Sequence, residues 1–190
     1  VLSILDKHNV KATFFLSGNS MSHYFQETQR IVAAGHEVGN HTYSHKRLLL
    51  KSYRRIGSEI EQTDSLIRKA GYKKDIHFRP PHAKKLLILP YYLKQHKRKT
   101  ILWDIEPESI NDISDDSELM AEYVVENSKN GSVILLHPMY DWGNESINSI
   151  EKIIGGSLSN AFINFDPNTH IDCSHGCPNN PYSRLSVKKI

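Results

Sequence analysis

Hydrophobic and polar positions along this chain switch repeatedly between a helical period and short apolar runs. Val1 to His8 reads as the end of an amphipathic helix, and Ala12 to Ser17 (ATFFLS) as a buried strand of β-branched and aromatic residues. Phe25 to Ala34 is helical and closed by Gly35, where a left-handed turn is cheap. Glu37 to Gly39 begins a second strand. Ser52 to Ala70 is the clearest helix, with Ile56, Ile60 and Ile67 on one face and Gly71 as its stop. Ile76 to Arg79 reads as a short strand ended by Pro80-Pro81, and Leu86 to His96 as a helix with Pro90 as a kink. Thr100 to Ile105 and Ser132 to Leu136 are apolar strands; Glu118 to Asn127 and Ser146 to Ile154 are helices. Strands apolar on both faces, alternating with helices, predict an α/β fold with a parallel sheet or barrel wrapped by helices.

In such folds chemistry collects at the carboxyl ends of the strands. The second strand leads into His41 and His45, the next into Arg79-Pro80-Pro81-His82. The following strand leads into Trp103-Asp104-Ile105-Glu106-Pro107-Glu108, and the last into His137-Pro138. Two histidines four apart can chelate zinc or a similar divalent ion, although a pair of surface histidines is the commoner meaning of that spacing. Each of the others has an equally plain structural reading. Arg79 could cap a helix or pair with Glu59 or Glu61, Trp103 could be core, and His137 could be a satisfied core histidine. Four such residue sets at the same end of four successive strands favour a site. His36, His77 and His96 read as surface or structural.

Composition narrows the class. A chain of 190 residues suits one domain, and a charge of +3 is far from a nucleic-acid signature but compatible with an anionic surface such as a bacterial wall. The basic run Lys94 to Lys99 reads as the solvated end of a helix. No apolar run approaches the length of a membrane span. Cys173 and Cys177 could pair, or form a small metal knot with His170 and His175; two free thiols in a polar tail is the preferred reading. The chain opens at Val1 inside a helical pattern, without an initiator Met or leader, and is expected to be a fragment.

The same residues resemble the polysaccharide deacetylases with a NodB-type catalytic domain, carbohydrate esterase family four. Lys7 to Leu16 (KHNVKATFFL) looks like the family's first helix and second strand, and His41-Thr42-Tyr43-Ser44-His45 its metal-binding motif. Phe78-Arg79-Pro80-Pro81 looks like its arginine motif, and Leu135-Leu136-His137 its final motif. The resemblance runs from Val1 to about Gly155. It implies a distorted (β/α)7-type barrel, here incomplete, with the first strand missing and the last doubtful. It divides the chain into a deacetylase domain at 1–156 and an atypical polar tail at 157–190, expected to be poorly ordered.

The activity implied is metal-dependent removal of acetyl groups from N- or O-acetylated polysaccharide, such as peptidoglycan or chitin oligomers. By resemblance His41 and His45 are two ligands of a divalent ion, zinc first and cobalt, nickel or manganese as alternatives, with an aspartate as the third. His137 is the general acid, Arg79 holds the catalytic base, the His82 backbone N–H faces the developing oxyanion, and Trp103 and Leu135 line the acetyl pocket. The family's substrates imply an extracellular or wall-associated setting; the oligomeric state is open.

This sequence departs from the family pattern in three places. The aspartate pair that supplies the base and the third ligand has no counterpart here, so weak metal binding and little turnover are expected. The aspartate that pairs with the catalytic histidine is absent; Glu108 is the best substitute and Asp104 a weaker one. The closing strand gives way to the polar tail, in which only Ala161 to Asp166 is strand-like and could bring Asp166 towards the histidines. Two alternatives follow. One is a non-catalytic carbohydrate- or metal-binding remnant of the same fold. The other is an unrelated α/β-barrel enzyme, which predicts no common locus for His41, His45, Arg79 and His137.

Overall fold

One strand buried on both faces organises the molecule. In β1 (Lys11–Leu16), Ala12, Phe14 and Leu16 point into the main hydrophobic cluster, while Phe15 points to the opposite face. The computed structural model describes residues 1–84, 86–129, 131–138, 145–159, 170–174 and 185–188. Its elements are α1 (Leu2–Lys7), β1, α2 (Gly18–His23), α3 (Phe25–Ala33), β2 (Glu37–Asn40), α4 (Tyr53–Lys69), α5 (Ile88–Gln95), α6 (Ser117–Asn127), β3 (Leu135–Leu136), α7 (Glu145–Ser159), β4 (His170–Ser174) and β5 (Leu185–Lys188). The fold is mixed α/β, as the sequence pattern predicts.

Parallel pairing passes from strand to strand. β1 lies between β2 and β4, with Phe14 opposite both Val38 and Cys173, and β4 pairs in parallel with β3 through Leu135 and Asp172. Single parallel bridges carry the pattern on from Asn40 to Phe78, from Phe78 to Thr100 and from Ile105 to Ile134. β5 lies antiparallel to β4. The strand-like run Ala161 to Asp166, with Cys177 and His175, lies outside the described residues.

Two expected strands are reduced to those bridges. Pro80 and Pro81 have no N–H to donate, so pairing ends just after Phe78. In the 100–105 segment the carbonyls of Ile101 and Leu102 accept from the Arg79 guanidinium rather than from a neighbouring strand. Pro90 does not kink α5 either. The helix starts at Ile88, which puts Pro90 in its first turn, where a missing N–H costs nothing.

α4, with 17 residues the longest helix among the described residues, ties two clusters together. Ser52 caps it by accepting from the Arg55 N–H. Ile56 and Ile60 are fully buried against Phe78 and Leu89, whereas Ile67 joins the main cluster with Leu5, Phe14 and Ile31. Burying each such side chain stabilises the fold by about 1.5–3 kcal/mol. Gly71 then ends the chain's helical run in a left-handed turn, φ 99°. The short helix α2 was not visible in the sequence; its GNSMSH composition is polar, and Ser17 caps it through the Ser20 N–H.

Candidate active site

The loop that follows β2 is held in a conformation that few residues adopt freely. Thr42 and His45 have φ of 66° and 58°. The Asn40 side chain fixes the first turn, accepting from the Thr42 N–H (2.9 Å) and donating to the Ile60 carbonyl (2.8 Å) and to Asp64 (2.7 Å). Thr42 Oγ1 accepts from the His45 N–H at 3.1 Å. Below the loop lies Glu59, a buried carboxylate on α4. It accepts from the Tyr43 N–H (3.1 Å), the Ser44 N–H (2.7 Å), the Ser44 hydroxyl (2.9 Å) and Arg55 (2.7 Å). From the other side, the Gly18 and Asn19 N–H groups at the start of α2 donate to the Thr42 and Tyr43 carbonyls. A side chain at Gly39 would meet the Phe15 ring at 2.4 Å, so only glycine lets β2 approach β1 this closely.

That scaffold sets the two imidazoles side by side, ring centres 4.8 Å apart and planes tilted by 51°. His41 is buried, and its Nδ1 lies 2.6 Å from the Arg79 carbonyl oxygen. A carbonyl only accepts, so Nδ1 carries the proton and Nε2 presents its lone pair. His45 Nε2 is 3.1 Å from that nitrogen. A tetrahedral ion with Zn–N bonds of about 2.0–2.1 Å holds two ligand nitrogens about 3.3 Å apart, so the pair fits a shared divalent ion. The backbone carbonyl behind His41 is the kind of outer partner that fixes a ligand's tautomer. Among the described residues no group of three His, Cys, Asp or Glu side chains forms a complete metal cluster.

Arg79 provides the next wall. Its side chain is 1% exposed, among the most buried in the molecule. Its Nε and Nη2 donate to the Ile101 and Leu102 carbonyls at 3.0 and 3.2 Å. Its guanidinium carbon stands 4.3 Å from the centre of the Phe15 ring and 5.3 Å from that of Trp103, so the charge is stabilised by two aromatic faces as well as by oxygens. After Pro80-Pro81 the chain turns through left-handed conformations at His82 and Ala83, φ 57° and 56°. The His82 ring comes to 5.3 Å from that of His45. Ala83 and Lys84 spend their N–H groups on the Pro80 and Pro81 carbonyls.

The third part surrounds His137, buried just beyond β3. Glu108 binds it twice, through Nδ1 and through the backbone N–H (2.5 Å), and also accepts from the Ser146 hydroxyl at the start of α7. A second carboxylate, Glu106, lies 3.8 Å from His137 Nε2. The Trp103 indole N–H donates to Glu106 at 2.9 Å and holds it there. Leu135 is fully buried but is absent from both hydrophobic clusters, which places it on the Phe15 side of the sheet and not with Leu136.

Contacts therefore run without a break from the metal-type pair to the acid-type histidine: His41 to Arg79, Arg79 to Trp103, Trp103 to Glu106, Glu106 to His137. An unrelated barrel had no reason to bring these residues to one locus. Glu108 stands beside His137, whereas Asp104 is spent on structure, accepting from the Ser132 hydroxyl (2.9 Å) and the Val133 N–H (2.5 Å). Glu59 and Glu61, considered as partners for Arg79, hold other groups: the 43–44 loop and the Tyr92 hydroxyl. Sequence reasoning missed the roles of Glu59 and Glu106, and missed Ser146 and Phe15 altogether. The first had a signal, since Arg55 and Glu59 are spaced for an ion pair on one helix face.

A pair of convergent imidazoles, a buried arginine, a Pro-Pro turn and a histidine gripped by a carboxylate thus share one α/β scaffold. Residues 1–101 match the polysaccharide deacetylase family, and the chain belongs to it. It is 32% identical over 156 residues to a peptidoglycan-N-acetylglucosamine deacetylase of Bacillus cereus, covering 81% of this chain and 56% of that protein. The solved structure of the peptidoglycan deacetylase PdaC from Bacillus subtilis superposes with a TM-score of 0.69 at 29% identity, covering 81% of this chain and 72% of that one. A family 4 carbohydrate esterase pseudoenzyme from Bacillus anthracis superposes with a TM-score of 0.74 at 25% identity, covering 85% of this chain and 55% of that one. The chain spans between about a third and just over half the length of the curated relatives it matches first. Among the described residues no helix is long and apolar enough to cross a membrane.

Proposed function

We propose that this chain carries the site of a divalent-metal-dependent deacetylase acting on an N-acetylated wall polysaccharide, peptidoglycan first, outside the cell. The observation that carries the proposal is the pair of Nε2 atoms of His41 and His45 at 3.1 Å, with the Nδ1 of His41 turned to the Arg79 carbonyl. His41 and His45 would hold the ion, zinc first, and the ion would polarise the acetyl carbonyl and lower the pKa of a bound water. Glu108 fixes His137 with Nδ1 inward, so Nε2 is the atom that gives a proton to the leaving amine. Glu106, held by Trp103, lies beside that nitrogen and stabilises the positive charge of the protonated imidazole before transfer. The His82 N–H donates to the acetyl oxygen as charge develops there. Leu135 and the Trp103 ring receive the methyl group, and Arg79 positions the wall between them. We read the scaffold as a (β/α)7-type barrel in which this chain contributes part of the set.

A second reading rests on the two-ligand count: with no complete three-ligand group among the described residues, the domain is a non-catalytic relative that binds carbohydrate or metal. Cobalt titration of the chain, followed by its visible absorbance, and acetate release from acetylated chitooligosaccharide and from peptidoglycan separate the readings. The first expects weak cobalt binding, for want of the aspartate ligand, and a low acetate release, both lost in His41→Ala. Cobalt binding with no acetate from either substrate refutes the first and supports the second. Cobalt binding unchanged in His41→Ala refutes the metal site itself.

A further inference from the structure

We propose a second binding site, remote from the histidines, for the phosphate groups of an anionic polyol or glycan. It goes beyond the deacetylase reading and does not depend on it. The site is a cavity of ≈ 450 Å³ beside the residues that lead into Phe78 and Thr100. The basic run Lys94 to Lys99, which reads from sequence as a solvated helix end, supplies one wall through His96, Lys97, Arg98 and Lys99.

The cations differ in how they are used. Arg98 is spent: both its terminal nitrogens bind Asp64, and one also donates to the Ile76 carbonyl at 3.1 Å. That pair makes a neutral, rigid floor. Arg68 directs one terminal nitrogen to the Tyr72 and Lys74 carbonyls (2.8 and 2.7 Å), which leaves Nε and Nη2 without an acceptor among the described residues. Lys97 and Lys99 are exposed on the rim and, among the described residues, have no acid partner. The lining also includes His77 and His96, the latter stacked on Tyr92 at 4.2 Å and hydrogen-bonded to the Tyr53 hydroxyl.

Three cations without an acid partner among the described residues stand around one cavity and give it a positive potential that draws an anion. Asp75, the remaining carboxylate of the lining, selects what kind of anion. It repels a bare charge but accepts from hydroxyl groups, so the ligand must bring hydroxyls beside its charge. A polyol phosphate or phosphorylated sugar does this; a bare carboxylate ion does not. The fork of Arg68 suits the tetrahedral oxygens of a phosphate, and the two lysines follow it as point charges.

The test is titration of the whole chain with poly(glycerol phosphate) by calorimetry, with inorganic phosphate and neutral dextran as parallel arms. Wild type is expected to bind the polymer with an affinity that falls as salt rises, and to ignore dextran. The double change Lys97→Glu and Lys99→Glu should weaken binding about tenfold or more, the arginine pair K97R/K99R should keep it, and Lys129→Glu should leave it unchanged. Inorganic phosphate that competes the polymer off, shifting the His77 and His96 imidazole NMR signals, assigns recognition to the phosphate group alone. Polymer binding that phosphate does not compete assigns it to the polyol phosphate. Absence of polymer binding in wild type, equal affinity in the double variant, or an equal loss in Lys129→Glu overturns the proposal.

Discussion

Glu59→Ala is the sharpest perturbation of the histidine loop that leaves both histidines in place. The carboxylate is 3% exposed and accepts two backbone N–H groups, a serine hydroxyl and an arginine. Removing it leaves the Tyr43 and Ser44 N–H groups in a half-buried pocket without their acceptor. Each such orphan costs about 1–3 kcal/mol, and relaxation of the loop towards water recovers part of it. The Arg55 pair is mostly exposed on the arginine side and adds little. The net expectation is a loss of about 2–4 kcal/mol of unfolding free energy by urea titration. The same change frees the 42–45 turn, whose left-handed residues persist only while their surroundings hold them. Cobalt affinity should therefore fall about tenfold or more beyond any loss explained by unfolding, because the approach of two nitrogens must then be organised at binding. Glu61→Ala, two residues further along α4 and engaged with the Tyr92 hydroxyl, is the control and should leave cobalt affinity unchanged. A Glu59→Ala protein with wild-type stability and wild-type cobalt affinity would refute the argument that this carboxylate builds the site.

Two further expectations concern the acid-type histidine and a buried one beside β1. Glu108→Gln keeps the shape beside His137 but removes the charge that orients it; acetate release should fall by about 10²-fold or more while cobalt affinity stays constant, and unchanged release would sink the assigned role. His36 is buried, accepts from the Ala12 N–H at 3.2 Å, and has its pKa lowered to about 4 by burial first and by the charge of Lys11 second, against a smaller opposing effect of Asp6. Since its folded pKa lies below the unfolded value of about 6.5, its contribution is complete above pH 6.5 and is lost as pH falls from 6.5 towards 4, by about 3 kcal/mol in all. Urea titrations at pH 7, 5 and 4 should show this loss in wild type and a flatter profile in His36→Gln; parallel profiles would contradict it.

How much of this was legible in the sequence differs between elements for physical reasons. α4 could be read almost to the residue because its apolar stripe, serine cap and terminal glycine all act locally. The segments around Phe78 and Thr100 could not. Their apolar composition is that of a strand, but whether a ladder forms depends on where Arg79, distant from Ile101 and Leu102 along the chain, puts its donors. The same holds for the site. Histidine spacing suggested a shared ion, and Glu108, the partner suggested for His137, lies in contact with it. Yet Glu59 lies 16 residues from Tyr43 and Ser146 38 residues from Glu108, on helices whose register no local pattern reveals. A residue that does chemistry carries a recognisable type; a residue that holds it in place can be any group with the right reach.

Arg79 joins these two kinds of legibility. Its backbone carbonyl sets the tautomer of His41, its guanidinium closes the carbonyls of a broken strand, and its planar face lies against Phe15 and near Trp103. A charge this deeply buried stabilises nothing by itself; replaced by a well-packed apolar group, such residues often leave the fold no weaker. What an apolar replacement cannot do is hold Ile101 and Leu102 away from sheet pairing and keep Trp103 turned so that its N–H reaches Glu106. The buried cation is therefore explained by geometry at the site and not by stability of the fold. That is the physical reason an arginine before two prolines is as informative in this sequence as the histidine pair it supports.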